Sequence, residues 1–554
     1  MLESRETNLL TQSASCAATT VSSNAQPDGI GDRSGRPVRR VQLIFPPMVF
    51  SRFQSRQTAL FPLGLGYVGS TLLRAGYEVE LVDCPSEGYE TLVPAGKDRL
   101  IYGLTEEQIR KRIEAFKPDV VAISCLFSTL ENRMMAVARI AKRVNPDIIV
   151  ICGGPHVSAF YERITKDPAV DFCVNGEGEY ATLDLLDAIN GKRPFSSVHA
   201  ISYLAGGELT VQPRTSWIQD LDVVPHPARE LVDLNKYFSI GKTQGLRLDG
   251  GRALRIAQMT TSRGCPFQCT YCAKNVTWGK AYRTRSAENV LDEIEMLVDR
   301  YGVERLAFQD DNFTADMERA ERIFDGMVER KLPVTWEAHN GLGVNFLSPH
   351  LLEKMRASGC ESFTIAVESA NSPLLRQVRK PNYIKLAPAI VTKAKELGIE
   401  VRGFFMIGFP GETLDEVWRT VEYARNLRLA VSAFAIVTPL PGTVLYKECV
   451  EAGLVDEATI DFEELSFGAF DLNLSKVPVE QLKCIRKIEW LKTVFLDEQG
   501  RFKTTLPMSP KDMMDELKNG LALFPDNEDI GTLLAQAKAH FQMTGIDADL
   551  RVAV

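Results

Sequence analysis

Three cysteines in one short loop constrain this 554-residue chain more than any other feature. Cys265, Cys269 and Cys272 have the spacing Cys-x3-Cys-x2-Cys, and the apolar run before them at residues 254–259 predicts a buried strand. Three thiolates this close together can bind three irons of a [4Fe–4S] cluster and leave the fourth iron open. A zinc site is the alternative, but structural zinc usually takes four ligands, and no Cys or His lies between Cys272 and His339.

The residues around these cysteines add a second observation. Thr261-Ser-Arg-Gly264 precedes the first cysteine, and the loop carries an aromatic residue at Tyr271. This pattern resembles the radical S-adenosylmethionine (SAM) superfamily. The resemblance implies that the open iron chelates the amino and carboxylate groups of SAM and that Tyr271 lies near the adenine.

Strands and helices alternate along residues 251–465 and predict six βα units, which form a partial TIM-like barrel. Functional residues of such barrels lie at the carboxyl ends of the strands. The resemblance assigns SAM contacts to Gln309, Asp310 and Asp311 after the second strand, Glu368 and Ser369 after the fourth, and Arg402 on the fifth. Asp310 and Asp311 could instead cap the next helix, and Arg402 could form a structural ion pair.

Residues 39–195 predict a doubly wound, Rossmann-like parallel sheet, which binds ligands at the carboxyl ends of its strands. These ends resemble a cobalamin-binding signature and imply cofactor contacts at Asp83, Gly88, Ser124, Leu126, Gly153, Gly154, Gly176 and Glu177. Pro85 stands where that signature has a cobalt-ligating histidine, so the resemblance implies that no histidine replaces the nucleotide tail of cobalamin. Glycine at strand ends is also a general feature of α/β folds, and we leave the role of His156 open.

A cobalamin domain followed by a radical SAM domain is similar to the class B, cobalamin-dependent radical SAM methyltransferases. The resemblance implies a [4Fe–4S] cluster, SAM and methylcobalamin as cofactors. It implies methylation of an unactivated carbon, or of phosphorus, in a small natural-product intermediate. A cobalamin-dependent radical SAM cyclase or ring-rearranging enzyme shares both motifs and remains an alternative within enzymes. A cobalamin-binding sensor is the alternative from another class.

The composition limits the partners. A net charge of −8 argues against a general nucleic-acid or anionic-membrane binder, and no apolar run reaches membrane-spanning length. Eleven cysteines in a chain of this length do not indicate a disulfide scaffold, so we expect a reducing cytoplasm. The family resemblance implies an electron donor such as flavodoxin or ferredoxin.

The predicted organisation has five parts. We expect a disordered tail (1–38), a cobalamin-binding domain (39–195), a linker (196–250), a radical SAM core (251–465) and a helical region (466–554) that caps the barrel mouth.

Overall fold

The computed structural model describes residues 27–28, 37–51, 59–96, 99–241, 254–457, 459–464, 472–497, 499–503 and 510–544. Within these residues, two α/β units with parallel sheets follow one another, and three helices come last. This is the architecture that the sequence predicts, namely a doubly wound domain, a partial barrel and a helical C-terminal region. Most of the predicted tail lies outside the described residues, but the Asp28 carboxylate accepts hydrogen bonds from the N–H groups of Gly206 and Gly207.

The first unit contains the strands β1 (Arg40–Phe45), β2 (Met48–Ser51), β3 (Glu78–Asp83), β4 (Leu92–Ala95), β5 (Arg99–Tyr102), β6 (Val120–Ser124), β7 (Ile149–Gly153), β8 (Phe172–Val174), β9 (Ile201–Ala205) and β10 (Glu208–Gln212). Seven of them form one sheet in the order β10-β9-β8-β7-β6-β1-β3. Strands β1, β3, β6, β7 and β8 are parallel, and most of their residues are buried. Burial on both faces explains why they read as continuous apolar runs.

Two strands of this sheet lie in the segment predicted as a linker. β9 and β10 form an antiparallel hairpin that pairs with β8 at the edge of the sheet. The hairpin buries Ile201 and Tyr203 in the core of the first unit, which explains why the segment folds with that unit. The described linker residues after the hairpin contact both units, since Arg229 pairs with Glu293 of the second unit and Tyr237 donates to Asp83 of the first. Residues 242–250 lie outside the described part of the chain.

The helices described in and after the first sheet are α1 (Leu63–Arg74), α2 (Cys84–Glu87), α3 (Glu106–Phe116), α4 (Glu131–Val144), α5 (Pro155–Ile164), α6 (Glu179–Ile189) and α7 (Leu234–Ile240). The buried residues of α1 to α6 pack in the core of this sheet, whereas Leu234, Tyr237 and Phe238 of α7 join the core of the second unit. α3 illustrates how the sequence determines such a helix. Thr105 and Gln108 form a capping box at its first turn, and Ile109 and Ile113 face the core.

The second unit contains the strands β11 (Ile256–Met259), β12 (Ser262–Arg263), β13 (Arg283–Thr284), β14 (Arg305–Phe308), β15 (Thr335–Leu342), β16 (Cys360–Glu368), β17 (Glu400–Ile407) and β18 (Val431–Ile436). Six of them form a parallel sheet in the order β11-β14-β15-β16-β17-β18, in which each strand neighbours the next one along the chain. β12 and β13 form a separate antiparallel pair at the base of the cysteine loop.

The helices that cover this sheet are α8 (Lys274–Trp278), α9 (Ala287–Tyr301), α10 (Met317–Glu329), α11 (Pro349–Ala357), α12 (Ser372–Gln377), α13 (Ala387–Glu396), α14 (Leu414–Leu427) and α15 (Val444–Glu451). Trp336 of β15 is buried against Phe324 of α10 and marks the interface between strands and outer helices. Three further helices, α16 (Val479–Phe495), α17 (Pro510–Leu523) and α18 (Glu528–Thr544), share their own apolar core. α16 packs along β18, the last strand of the barrel sheet.

Candidate active site

The carboxyl ends of the two parallel sheets meet. α5 begins at the end of β7 and packs against α8, which follows the cysteine loop. Ala159 of α5 and Val276 of α8 both lie close to Gly442, in the loop after β18. Strand-end residues that are distant in sequence therefore lie on two sides of one interface.

The cysteine loop spans the gap between β12 and α8 at the barrel mouth. Cys265, Cys269 and Cys272 are each partly exposed, whereas most other described cysteines are buried. Burial raises the pKa of all three thiols, that of Cys272 to about 12, so a bound metal must offset the cost of the thiolate forms. Among the described residues, no three His, Cys, Asp or Glu side chains form a single-ion site. A cubane cluster instead spaces its ligands across three separate irons.

Asp310 holds the start of this loop. Its carboxylate accepts hydrogen bonds from the Thr261 N–H at 3.0 Å, from the Thr261 hydroxyl at 2.7 Å and from the Ser262 hydroxyl. The Asp310 carboxylate is thus bound by Thr261 and Ser262, and its contact with SAM stays a prediction. Helix capping, the other interpretation, is wrong, because Asp316 caps α10 by accepting from the Arg319 N–H.

Two other predicted residues lie beside the cysteine loop, and a third, Gln309, directly follows β14. Asp311 lies beside Cys265 and Cys272, and burial raises its pKa to about 6. The Gln309 side-chain amide nitrogen is buried without a hydrogen-bond partner among the described residues. Glu368, at the end of β16, forms an ion pair with Lys380 at 3.4 Å, and both lie near Cys269.

Tyr271 lies within the loop as predicted. Its ring packs edge-on against Phe409 at a centroid distance of 6.0 Å, and both rings are buried. Glu412 fixes the loop that carries Phe409 by accepting hydrogen bonds from the Gly408 and Phe409 N–H groups. The sequence analysis missed the roles of Glu412 and Lys380, although Glu412 belongs to a Gly-Phe-Pro-Gly-Glu run that follows a strand.

Two predicted SAM contacts have other partners. Ser369 is buried and its hydroxyl lies 3.3 Å from that of Thr420 and accepts from the Asn371 N–H. Arg402 is the third residue of β17 and lies well before the end of that strand. Its guanidinium is 3.1 Å from His339 Nδ1 and 3.7 Å from the Glu337 carboxylate, which matches the alternative of a structural ion pair.

The carboxyl edge of the first sheet is different in character. Leu126 and Phe127, just after β6, leave 44% and 47% of their surfaces exposed. Ser124 and Gly153 are partly exposed next to each other, and a Cβ on Gly153 would meet no atom closer than 3.6 Å. Gly154 has φ of 104°, and a side chain there would strike the Cys125 carbonyl. This edge therefore presents open backbone and apolar side chains, which suit a large planar ligand.

Other residues predicted to contact cobalamin have partners within the chain, and their contact with the cofactor stays a prediction. Asp83 is buried and accepts a hydrogen bond from the Tyr237 hydroxyl of α7, while burial raises its pKa to about 7. A Cβ at Gly88 would overlap the backbone of Gly103, so only glycine fits at this position. Pro85 is buried in α2. His156 is held by the Ser128 hydroxyl and the Glu131 carboxylate, at 3.0 and 2.9 Å.

Glu177 joins the two units. Its carboxylate binds Arg263 at 2.8 Å and Arg283 at 2.7 Å, and Glu179 also binds Arg263. All four side chains are buried. The preceding Gly176 packs against Arg214, so the Gly176–Glu179 turn is an interdomain clamp rather than an open cofactor surface. Arg263 stands two residues before Cys265, and the clamp therefore fixes the cysteine loop relative to the first sheet.

The donor set and the exposed edge define a class of protein. Residues 259–424 match the Radical SAM superfamily, and residues 53–186 match the B12 binding domain. Cytidylyl-2-hydroxyethylphosphonate methyltransferase of Streptomyces wedmorensis is 32% identical over 460 residues, which cover 78% of this chain and 85% of that protein. An uncharacterized methyltransferase of Pyrococcus horikoshii is 31% identical over 419 residues, which cover 76% of this chain and 84% of that protein.

Solved structures have the same fold. The methyltransferase TsrM from Kitasatospora setae, with cobalamin and a [4Fe–4S] cluster bound, superposes with a TM-score of 0.61 at 17% identity and covers 88% of this chain and 91% of that one. OxsB, with aqua-cobalamin and SAM bound, gives 0.63 at 15% identity, with 93% and 76% covered.

This chain belongs to the cobalamin-dependent radical SAM methyltransferases. Its cofactors are a [4Fe–4S] cluster, SAM and cobalamin, as predicted. Short motifs at residues 61–67, 87–89, 102–104 and 309–312 predict similarity to the methylase of the fosfomycin pathway, and that prediction is also confirmed. None of the described helices combines the length and apolar composition that a membrane crossing requires.

Proposed function

We propose that this enzyme methylates an unactivated carbon of a small anionic molecule, and that a nucleotide-linked phosphonate is the first candidate substrate. The similarity to the Streptomyces wedmorensis methyltransferase supports the phosphonate. Lys274 and Lys380 support an anion, because both ammonium groups lie near the cysteine loop. Flavodoxin or ferredoxin supplies the electron in the cytoplasm.

The observation that carries the proposal is the contrast between the two sides of the interface. The barrel side presents thiols and carboxylates, and the side of the first sheet presents apolar side chains and open backbone. When bound, the cluster supplies the electron that cleaves SAM, and cobalamin supplies the methyl group. Cys265, Cys269 and Cys272 hold the cluster, while Asp311, Gln309 and Glu368 orient SAM beside it. Leu126, Gly153 and Gly154 provide the face for the corrin.

The clamp fixes the position of the barrel mouth relative to the edge of the first sheet. Methyl transfer requires three reacting groups to be held in line, and a misplacement of about 1 Å can cost roughly 100-fold in rate. Glu177 binds Arg263 close to the cysteine loop and thereby keeps that loop in register with the edge of the first sheet.

A product assay tests this function. Protein with its cluster and cobalamin is incubated anaerobically with SAM, a reductant and a cytidylylated hydroxyalkylphosphonate that carries deuterium at the candidate carbon. Methylation yields S-adenosylhomocysteine, deuterated 5′-deoxyadenosine and a methylated product. Deuterium transfer without S-adenosylhomocysteine would favour a cyclase, which is the activity named for relatives such as the anaerobic magnesium-protoporphyrin IX monomethyl ester cyclase of Rubrivivax gelatinosus, 28% identical over 376 residues.

A further inference from the structure

Tyr383 brings a buried hydroxyl to the barrel mouth that the site as described does not use. It lies between α12 and α13, with 1% of its surface exposed, and its hydroxyl has no hydrogen-bond partner among the described residues. A Cβ built on Gly343 would lie 3.1 Å from this hydroxyl oxygen and 3.0 Å from Asn312 Nδ2. The two polar atoms therefore flank the same point, just after β15.

That point adjoins the cysteine loop. Asn312 Nδ2 lies 3.9 Å from Cys265 Sγ, and Asn312 Oδ1 accepts a hydrogen bond from the Gly343 N–H at 3.2 Å. The second bond fixes the amide with its NH₂ group toward the sulfur. Phe346, three residues further on, stacks on Phe267 inside the cysteine loop at a centroid distance of 5.5 Å. The end of β15 is thus packed directly against the cluster ligands.

Tyr383 is a hydrogen-bond donor in this environment. Burial raises the pKa of its phenol well above the ordinary value, so the hydroxyl keeps its proton. A buried donor without an acceptor is unfavourable, so a native site rarely keeps one. Thiolate and sulfide sulfurs of a bound cluster are acceptors of the required kind.

We propose that the Tyr383 hydroxyl donates a hydrogen bond to a sulfur of the bound [4Fe–4S] cluster or of its cysteine ligands, and that Asn312 donates a second one to Cys265. Hydrogen bonds to the sulfurs are among the factors that set the reduction potential of such clusters. Because the reduced cluster is the more negative form, these two donors raise its potential. The proposal rests on the cluster and is independent of which molecule is methylated.

The test is a redox titration of the anaerobically reconstituted full-length protein. The reduced cluster is monitored by electron paramagnetic resonance in the absence of SAM. Tyr383→Phe should keep its full iron content and show a lower midpoint potential. The expected effect is a fall of up to about tenfold in the reduction equilibrium constant, or about 59 mV for a one-electron couple. Tyr423→Phe is the matched control, because the Tyr423 hydroxyl donates at 2.8 Å to the carbonyl of Ile384, next to Tyr383.

Several results would overturn the proposal. An unchanged potential in Tyr383→Phe contradicts it, and weaker SAM binding at an unchanged potential would assign the hydroxyl to SAM instead. Equal shifts of the midpoint potential in Tyr383→Phe and Tyr423→Phe would show that the shift comes from the segment and not from the Tyr383 hydroxyl. If Tyr383→Phe fails to load the cluster while Tyr423→Phe loads it, the residue is structural, since one neutral hydrogen bond is too weak to decide cluster assembly.

Discussion

The two sheet edges that meet at the interface use opposite chemistry. The barrel mouth presents thiols, carboxylates, an ammonium group and buried polar atoms with no partner in the described chain, as at Gln309 and Tyr383. The edge of the first sheet presents exposed Leu126 and Phe127 beside glycine backbone. Asp83 there accepts from Tyr237 through Oδ2, while its buried Oδ1 has no partner among the described residues.

This difference reflects what each edge has to hold. A cluster and the charged end of SAM need ligands and hydrogen-bond partners at fixed points. A corrin is a broad ring whose large surface can be held by shape and apolar contact. The barrel mouth should therefore be sensitive to single polar changes, whereas the first edge should be sensitive to added bulk.

The largest effect is expected at the cysteines. Cys265→Ala removes one of three cluster ligands and should lower SAM cleavage by more than about 100-fold, because the loop has no fourth cysteine to replace it. Cobalamin binding should persist, since the first edge does not need the cluster. Iron content, 5′-deoxyadenosine formation and bound cobalamin are measured together, with Cys484→Ala in the C-terminal helices as the control. Full cluster content in Cys265→Ala would refute the ligand assignment.

The next effect tests the first edge by adding bulk. Gly153→Trp should displace cobalamin and abolish methylation, because the open backbone there lets a ring approach closely. The cluster and abortive cleavage of SAM should remain. Gly64→Trp is the control, since Gly64 is exposed on α1 with no atom near its Cβ position. Methylation by a Gly153→Trp protein that lacks cobalamin would show that the methyl group comes from elsewhere.

A smaller effect is expected where the two edges are joined. Glu177→Gln keeps the shape of the clamp but removes the charge that faces Arg263 and Arg283. Both cofactors should still bind, while the ratio of methylated product to 5′-deoxyadenosine falls by about tenfold through misalignment. Glu78→Gln, which breaks an exposed pair with Arg40, is the control. An unchanged ratio would mean that the clamp does not set the alignment of the cofactors.

The same contrast explains how far the sequence could be interpreted. Apolar periodicity and strand–helix alternation predict both sheets, and the cysteine spacing predicts the cluster. The βα rhythm also places Gln309, Asp311 and Glu368 correctly at the strand ends. It cannot show that Asp310 accepts hydrogen bonds from Thr261 or that the Ser369 hydroxyl pairs with that of Thr420. Such long-range hydrogen bonds leave no local pattern.

The smallest effect on methylation concerns Asp83, and it separates a fold role from a cofactor role. Burial raises the pKa of Asp83 from its ordinary value to about 7, so the folded protein holds a proton that the unfolded chain releases above about pH 4. The free energy of unfolding therefore falls as the pH rises from about 4 to 7 and levels off above that, by on the order of 4 kcal/mol at most. Asp83→Asn lacks this proton and still accepts from Tyr237, so its urea unfolding should lose this part of the pH dependence and leave cobalamin binding intact. Equal pH profiles of urea unfolding for Asp83→Asn and the unsubstituted protein would contradict the fold role. Loss of cobalamin from Asp83→Asn at every pH would support the cofactor contact that the sequence motif implies.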